Sequence, residues 1–91
     1  MKIERIASKN NETIKKITKL FTSSSYRKQE GLYVIEGLRL CMDAVLSENQ
    51  FPALFVTDKF ANERKSEYEK LSNSAQKIYI VPNDIMQKLS D

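Results

Sequence analysis

The 91-residue sequence predicts a single three-layer α/β domain, with a mainly parallel central sheet and helices on both faces. Short β-branched and aromatic runs alternate with longer stretches whose apolar residues recur at helical spacing. Strands joined through helices run parallel by right-handed crossovers, and the helices then cover both faces of the sheet. The chain is long enough for one modest core and too short for two, so residues 1–91 are predicted to form one domain.

The first predicted helix covers residues 11–21. Asn10 and Asn11 have side chains suited to cap its amino terminus, and Glu12 suits the positive end of the helix dipole. Apolar and basic residues separate onto two faces: Ile14, Ile17, Leu20 and Phe21 on the inner face, and Lys15, Lys16 and Lys19 on the outer face. The spacing therefore predicts an amphipathic helix with a lysine-rich outer face.

A hydroxyl-rich run at 22–25 interrupts the helical pattern, because short hydroxyl side chains compete for backbone hydrogen bonds. Residues 26–30 are predicted to form a further helical turn, which Gly31 ends. The run 32–35, Leu-Tyr-Val-Ile, is β-branched and aromatic and predicts a buried strand.

Strands and helices continue to alternate through the rest of the chain. Two more strands are predicted over 53–57 and 77–81. Phe51-Pro52 is predicted as a connection, because proline disfavours the helical conformation in the residue before it. The remaining helices follow the apolar spacing: they cover 38–48, a stretch marked by Phe60, Arg64, Tyr68 and Leu71, and a final stretch that starts at Pro82-Asn83-Asp84.

The absence of histidine and the scarcity of glycine exclude most catalytic sites. Without histidine there is no usual general base and no Ser-His or Cys-His pair, and Cys41 alone cannot form a zinc site. Gly31 and Gly37, the only glycines, are too few for a phosphate-cradling or dinucleotide-binding loop. We therefore expect no catalytic, metal-binding or cofactor-binding residue in this chain.

Cysteine content and hydropathy indicate the compartment. A single cysteine rules out an internal disulfide framework. The start, Met1-Lys2-Ile3-Glu4-Arg5-Ile6, lacks the apolar stretch of a signal peptide, and no apolar run is long enough to cross a bilayer. We expect a cytoplasmic protein with no membrane partner.

Basic residues are concentrated in the amino-terminal part of the chain. Residues 1–39 hold nine bases against four acids, and residues 40–91 hold six bases against eight acids, within a net charge of +3. This distribution suits a surface that faces a polyanion, and it equally suits a solvated helix face whose lysines provide solubility. Charge alone leaves both interpretations open.

The end of the first predicted strand carries candidate ligand-binding residues. In open α/β sheets ligands bind at the carboxyl ends of strands, where Glu36-Gly37 here leads into a helix carrying Arg39. Arg39 can present a fork to phosphate or to a base edge, and Gly37 lets a partner approach the backbone closely. Glu36 can accept hydrogen bonds from base amino groups. The alternative is structural: Glu36 caps the helix, Gly37 makes the turn and Arg39 is an ordinary surface residue.

A second candidate segment, Tyr26-Arg27-Lys28, precedes the same strand. An aromatic ring beside two cations can stack on an unpaired nucleotide while the cations contact phosphate. The alternative is that Tyr26 packs on the core and the two cations are solvated.

Both segments belong to a pattern that resembles a known family. The pattern starts with Ile6-Ala7-Ser8-Lys9-Asn10-Asn11-Glu12-Thr13-Ile14-Lys15, continues with Leu20 and Arg27, and ends with Gly31-Leu32-Tyr33-Val34-Ile35-Glu36-Gly37-Leu38-Arg39. It resembles the amino-terminal substrate-binding domain of the SpoU (TrmH) family of RNA 2′-O-ribose methyltransferases. Residues 40–91 match that domain only in hydrophobic pattern.

The resemblance implies the fold of kink-turn-binding ribosomal proteins and a partner that is RNA, ribosomal RNA in particular. It also implies a separate carboxyl-terminal domain with a knotted fold, which binds S-adenosylmethionine, forms the homodimer and carries catalysis. None of that domain's motifs occurs here, and Leu89-Ser90-Asp91 lies where the linker to it is expected. We therefore expect this chain to be the RNA-binding part alone, and the expected RNA-binding residues are Asn11, Lys15, Lys16, Lys19, Arg27, Lys28, Glu36, Gly37 and Arg39.

Two other interpretations remain open at this stage. The chain can be a free-standing ribosomal-type RNA-binding module, or a protein-interaction module that docks a helix or sheet face on a partner. Phosphate contacts weaken steeply as salt rises, whereas a mainly apolar protein interface is much less sensitive. Salt dependence therefore separates the RNA interpretations from the protein one.

Overall fold

A computed structural model describes residues 2–90, so that Met1 and Asp91 of the predicted domain lie outside the described residues. It confirms the α/β prediction: three parallel strands form one sheet in the order β1-β3-β2, with helices packed against it. The elements, in chain order, are β1 Ile3–Arg5, α1 Glu12–Thr22, α2 Ser24–Glu30, α3 Leu38–Leu46, β2 Phe51–Val56, α4 Asp58–Glu63, α5 Lys65–Asn73, β3 Ala75–Ile80 and α6 Asn83–Ser90.

Alternation along the strands divides the core into two apolar clusters, one on each face of the sheet. Leu54 and Ile78 point to one face, where they pack with residues of α3 and α5 such as Val45 and Leu71. The other cluster contains Ile6, Ile14 and Val81 with Ile85 and Leu89 of α6. Helices therefore cover both faces, and the domain has three layers.

Side-chain and glycine caps set the ends of the first two helices, and the sequence predicts those at Asn11 and Gly31 but not the one at Ser23. The Asn11 Oδ1 atom accepts a hydrogen bond from the Thr13 N–H group at 2.8 Å, which satisfies a free donor in the first turn of α1. Ser23 ends α1 and caps α2, because its hydroxyl accepts from the Tyr26 N–H group at 3.1 Å. Gly31 ends α2 with a φ of 66°, a left-handed conformation that favours glycine.

The predicted buried strand at 32–35 is wrong. Leu32 and Tyr33 are exposed, residues 32–36 are irregular, and no strand of residues 2–90 pairs with the outer edge of β2. An apolar groove of about 560 Å³ lies between this segment and β2. Intrinsic β-propensity reflects the packing that a strand finds, and this segment has no strand neighbour to supply it.

The outer strand on the other side of β3 is β1, which the sequence analysis missed. Ile3 pairs with Ile78 and Arg5 with Ile80, and the Ile6 N–H group donates to the Ile80 carbonyl at 2.9 Å. The side chains of β1 are all exposed, so the strand has no apolar alternation that would reveal it. Its place in the sheet depends on backbone hydrogen bonds and on the buried side chain of Ile6 just after it.

Two further boundaries differ from the prediction. Phe51-Pro52 is not a connection but the start of β2, where the missing proline N–H group is tolerated because β2 is an edge strand. The predicted helix through Phe60 and Leu71 is two helices, since Arg64 leaves the helical conformation with a φ of −124° and a ψ of 57°. The helix predicted over 38–48 is confirmed as α3 but ends at Leu46, and the helix predicted after Pro82 is confirmed as α6.

Candidate nucleic-acid interface

The outer face of α1 carries the three lysines that the sequence predicts there. Lys15, Lys16 and Lys19 are exposed, whereas Ile14 on the inner face is buried in the second apolar cluster. The Lys15 Nζ atom lies 3.7 Å from a carboxylate oxygen of Glu12, and these exposed charges attract each other only weakly. Lys16 forms no ion pair among the residues described, so its charge is available to a polyanion.

Asn11 lies at the amino-terminal end of α1, close to Lys15 and far from the predicted residues that follow the helix. Helix geometry places it about 14 Å along the axis from Leu20. Its side-chain oxygen is already used to cap the helix. The structure therefore does not bring Asn11 together with Arg27 or Glu36.

Arg27 connects α2 to the carboxyl end of α1. Its Nη1 atom donates to the Leu20 carbonyl at 2.7 Å and to the Phe21 carbonyl at 3.3 Å. These carbonyls have no partner inside the helix, and a cation at this end also interacts favourably with the helix dipole. Arg27 is half-buried and held in place, whereas the adjacent Lys28 is exposed.

The Glu36-Gly37 corner lies at the start of α3, which begins at Leu38. Gly37 is the N-cap residue, with a φ of 96° that a residue with a Cβ atom would adopt only under strain. No side chain forms a capping hydrogen bond there, so Glu36 does not cap the helix. The N–H groups of the first turn are left for another partner, and Arg39 is exposed beside them.

A shallow hollow of about 260 Å³ brings the two predicted segments together. Arg27 from α2 and Glu36 from the corner both line it. The remaining lining residues come from the end of α1 and from the irregular segment: Leu20, Phe21, Tyr33 and Val34. The sequence gives no signal that Tyr33 belongs to the site, because the run 32–35 predicts a buried strand that contains it.

Tyr26, the aromatic residue that the sequence suggests for stacking, is half-buried. The Lys19 Nζ atom lies 5.1 Å from the centroid of its ring, within the range of a cation–π contact. One cation of the predicted basic face therefore already occupies this ring. Tyr33 is the aromatic residue that is open to solvent beside Arg27.

The amino-acid sequence matches a known protein family. The family model for the MRM3-like substrate binding domain matches residues 11–91 of the sequence, which include α1, the Glu36-Gly37 corner and every later element. The chain belongs to this family. It is a substrate-binding domain of SpoU-type RNA methyltransferases, which confirms the resemblance that the sequence shows. Curated proteins and solved structures gave no significant match.

Family membership makes this chain an RNA-binding domain, and its single thiol belongs to Cys41. The Cys41 thiol is half-buried, its Sγ atom lies 3.8 Å from the Ile35 carbonyl oxygen, and burial raises its pKa. The thiol is therefore protonated at neutral pH. Within residues 2–90, no cluster of acidic and cysteine side chains could hold a metal ion, and no helix is long and apolar enough to cross a membrane.

Proposed function

We propose that this domain binds structured ribosomal RNA and positions it for a separate domain, which methylates a ribose 2′-oxygen with S-adenosylmethionine. The observation that carries the proposal is the match to a family of substrate-binding domains, over a surface that joins a lysine-bearing helix to the Arg27–Glu36 hollow. The methyl donor and the catalytic residues belong to the separate domain. This chain contributes recognition.

The residues of the proposed interface divide the work by charge. The α1 lysines and Lys28 attract phosphates without regard to sequence, because an ammonium group is a point charge on a flexible stem. Arg39 lies beside the uncapped first turn of α3, and the two together offer donors to one phosphate group. Glu36 only accepts hydrogen bonds, so its partners on RNA are the donors of base edges.

Affinity in the working enzyme is proposed to come from two copies of this domain held together by a homodimer of the catalytic domain, in the cytoplasm. A single copy with a net charge of +3 has a modest attraction for RNA. Linking two copies makes the second contact intramolecular and raises the overall affinity without any new contact.

The test is an RNA titration over a range of salt concentrations. We expect the purified domain to bind folded fragments of ribosomal RNA, with affinity falling steeply as salt rises. The variant K15Q/K16Q/K19Q should reduce the magnitude of the slope of log affinity against log salt by about two to three, since each of the three lost phosphate contacts removes about 0.7–0.9. Fluorescence anisotropy measures both quantities.

The matched control is K59Q/K65Q/K70Q, which removes the same charge from exposed lysines of α4 and α5. Helix α5 packs on the other face of the sheet from α1, so this variant should keep the salt slope of the wild type. Equal slopes for the two triple variants would show that net charge alone drives binding, and the proposed interface would be wrong. No binding at low salt would refute the function itself.

One observation favours the alternative of a protein-interaction module. Leu40 and Leu46 of α3 are 59% and 79% exposed, and large apolar side chains on one helix are a feature of docking surfaces. A partner bound there should be insensitive to salt. The same salt series therefore decides between the two functions.

A further inference from the structure

We infer that the hollow lined by Arg27, Tyr33 and Glu36 binds one unpaired guanine base, with Tyr33 as its stacking platform. This inference rests on the proposed function and adds the chemical class of the group that is recognised. It is carried by three observations: the exposure of one tyrosine, the isolation of one carboxylate, and the fixed position of one arginine.

Tyr33 differs from the other tyrosines of the domain. Tyr33 is 75% exposed, whereas Tyr26, Tyr68 and Tyr79 are half-buried. The ring of Tyr79 stacks on Phe55 with centroids 4.9 Å apart. The ring of Tyr33 has no aromatic or cationic partner within residues 2–90, and its hydroxyl forms no hydrogen bond there. An open ring face of this kind can stack on any unpaired base.

Glu36 gives the hollow its selectivity. Its carboxylate is exposed and takes part in no ion pair with any other described residue. A carboxylate repels phosphate and accepts hydrogen bonds only. Guanine presents two neighbouring donors, N1–H and the N2 amino group, which match the two carboxylate oxygens. Adenine and cytosine place an acceptor beside their amino group, and uracil has a single donor, so guanine is the best fit.

Arg27 fixes one side of the same hollow. Because its Nη1 atom is held by the Leu20 and Phe21 carbonyls, the guanidinium group is oriented before RNA arrives. Its remaining N–H groups can meet the phosphate of the stacked nucleotide at little further cost in side-chain entropy. The hollow, at about 260 Å³, lies below the range of about 300–1,000 Å³ typical of pockets for whole drug-sized ligands, which suits a single base.

The test compares hairpin RNAs that differ at one loop position. The first has a uridine loop with one guanosine, the second has an abasic residue in its place, and the third has uridine throughout the loop. We expect the wild-type domain to bind the guanosine hairpin about tenfold more tightly than the abasic one, the scale of one base–aromatic stack. The uridine hairpin should bind with intermediate affinity.

Substitutions assign this preference to the hollow. Y33L should lower the ratio of guanosine to abasic affinity well below tenfold, to what the Glu36 hydrogen bonds supply alone, while Y33F, which keeps the ring, should retain the tenfold ratio. E36Q should keep the difference from the abasic hairpin and lose the preference for guanosine over uridine. All three variants should keep the salt slope of the wild type, because none removes a cation.

The outcomes separate this inference from the proposed function. A wild-type domain that binds all three hairpins equally, or Y33L with an unchanged ratio, would overturn the inference and leave RNA binding through the lysines intact. Failure to bind any RNA at low salt would overturn both. Thermal unfolding of each variant checks that the fold is kept, which the exposure of Tyr33 and Glu36 leads us to expect.

Discussion

Replacing Arg27 by alanine tests whether this residue supports the fold as well as the RNA surface. The Nη1 atom reaches two carbonyls at the end of α1, at 2.7 Å and 3.3 Å, and both bonds share one nitrogen. We count them as one strong charge-assisted hydrogen bond, worth about 1.5–3 kcal/mol in proteins generally. The favourable interaction with the helix dipole adds about 0.3–1 kcal/mol.

Partial exposure of Arg27 lowers this sum, because water competes for the same carbonyls once the side chain is removed. We therefore expect R27A to lose about 2 kcal/mol of the free energy of unfolding. For a domain of this size, each kcal/mol lowers Tm by about 4–8 °C, so the expected decrease is about 10 °C. Thermal unfolding followed by circular dichroism measures it directly.

The matched control is K28A at the neighbouring position. Lys28 is exposed and its side chain has no hydrogen bond or ion pair with another described residue, so its replacement should change stability by less than about 0.5 kcal/mol. Both variants should bind RNA less tightly at a temperature where both are folded. If R27A unfolds within about 2 °C of the wild type, the bonds to α1 contribute nothing, and our account of Arg27 as a preorganised group is wrong.

Two other contacts give predictions of the same kind. N11A removes the cap of α1 and should cost about 1 kcal/mol in urea unfolding, whereas N10A, whose side chain caps nothing, should cost little; equal effects would contradict the assignment of the cap. Asp58 accepts a hydrogen bond from Arg5 at 2.8 Å, which lowers the pKa of Asp58 below its ordinary 3.8. Because the pKa of Asp58 is lower in the folded state, its carboxylate stabilises the fold at pH values above 3.8. This stabilisation is lost as the pH falls through the pKa of the folded state. The small difference in stability between the wild type and D58N should therefore vanish in acid. The same difference in stability should also decrease in high salt, which screens the ion pair. A difference that changes with neither pH nor salt would rule out the ion pair as its source.

Local sequence signals were sufficient where the structure is decided locally. The amphipathic spacing and the asparagine cap predict α1, and Gly31 predicts the end of α2. The alternation of apolar runs with helices predicts a parallel sheet. These features depend on residues close together in the chain, so a single sequence contains most of the information.

The wrong and missed strand predictions concern segments whose structure depends on residues far away in the sequence. Residues 32–35 have strong β-propensity and no strand neighbour, whereas Ile3–Arg5 have little apolar pattern and pair with β3 through the backbone. Which segment joins the sheet is settled by what lies beside it and not by its own composition.

The candidate site was predictable in its residue types and not in its arrangement. Family resemblance linked Arg27 to Glu36, and the structure places both at one hollow. The hydrogen bonds of Arg27 to the end of α1 depend on the turn at Ser23, which sets the angle between two helices. Tyr33 is exposed because residues 32–35 do not form the predicted strand, so that one wrong prediction also hid Tyr33 as a site residue.

The pairing of β1 with β3 has a consequence for synthesis on the ribosome. Ile3 precedes its partner Ile78 by 75 positions in the chain, so the first strand must wait until most of this domain has been synthesised. Closing so long a loop is costly in entropy and slows the step that completes the sheet. Helix α1, with its lysines, is available before that step, and the nascent chain therefore presents its basic segment while the domain is still unfinished.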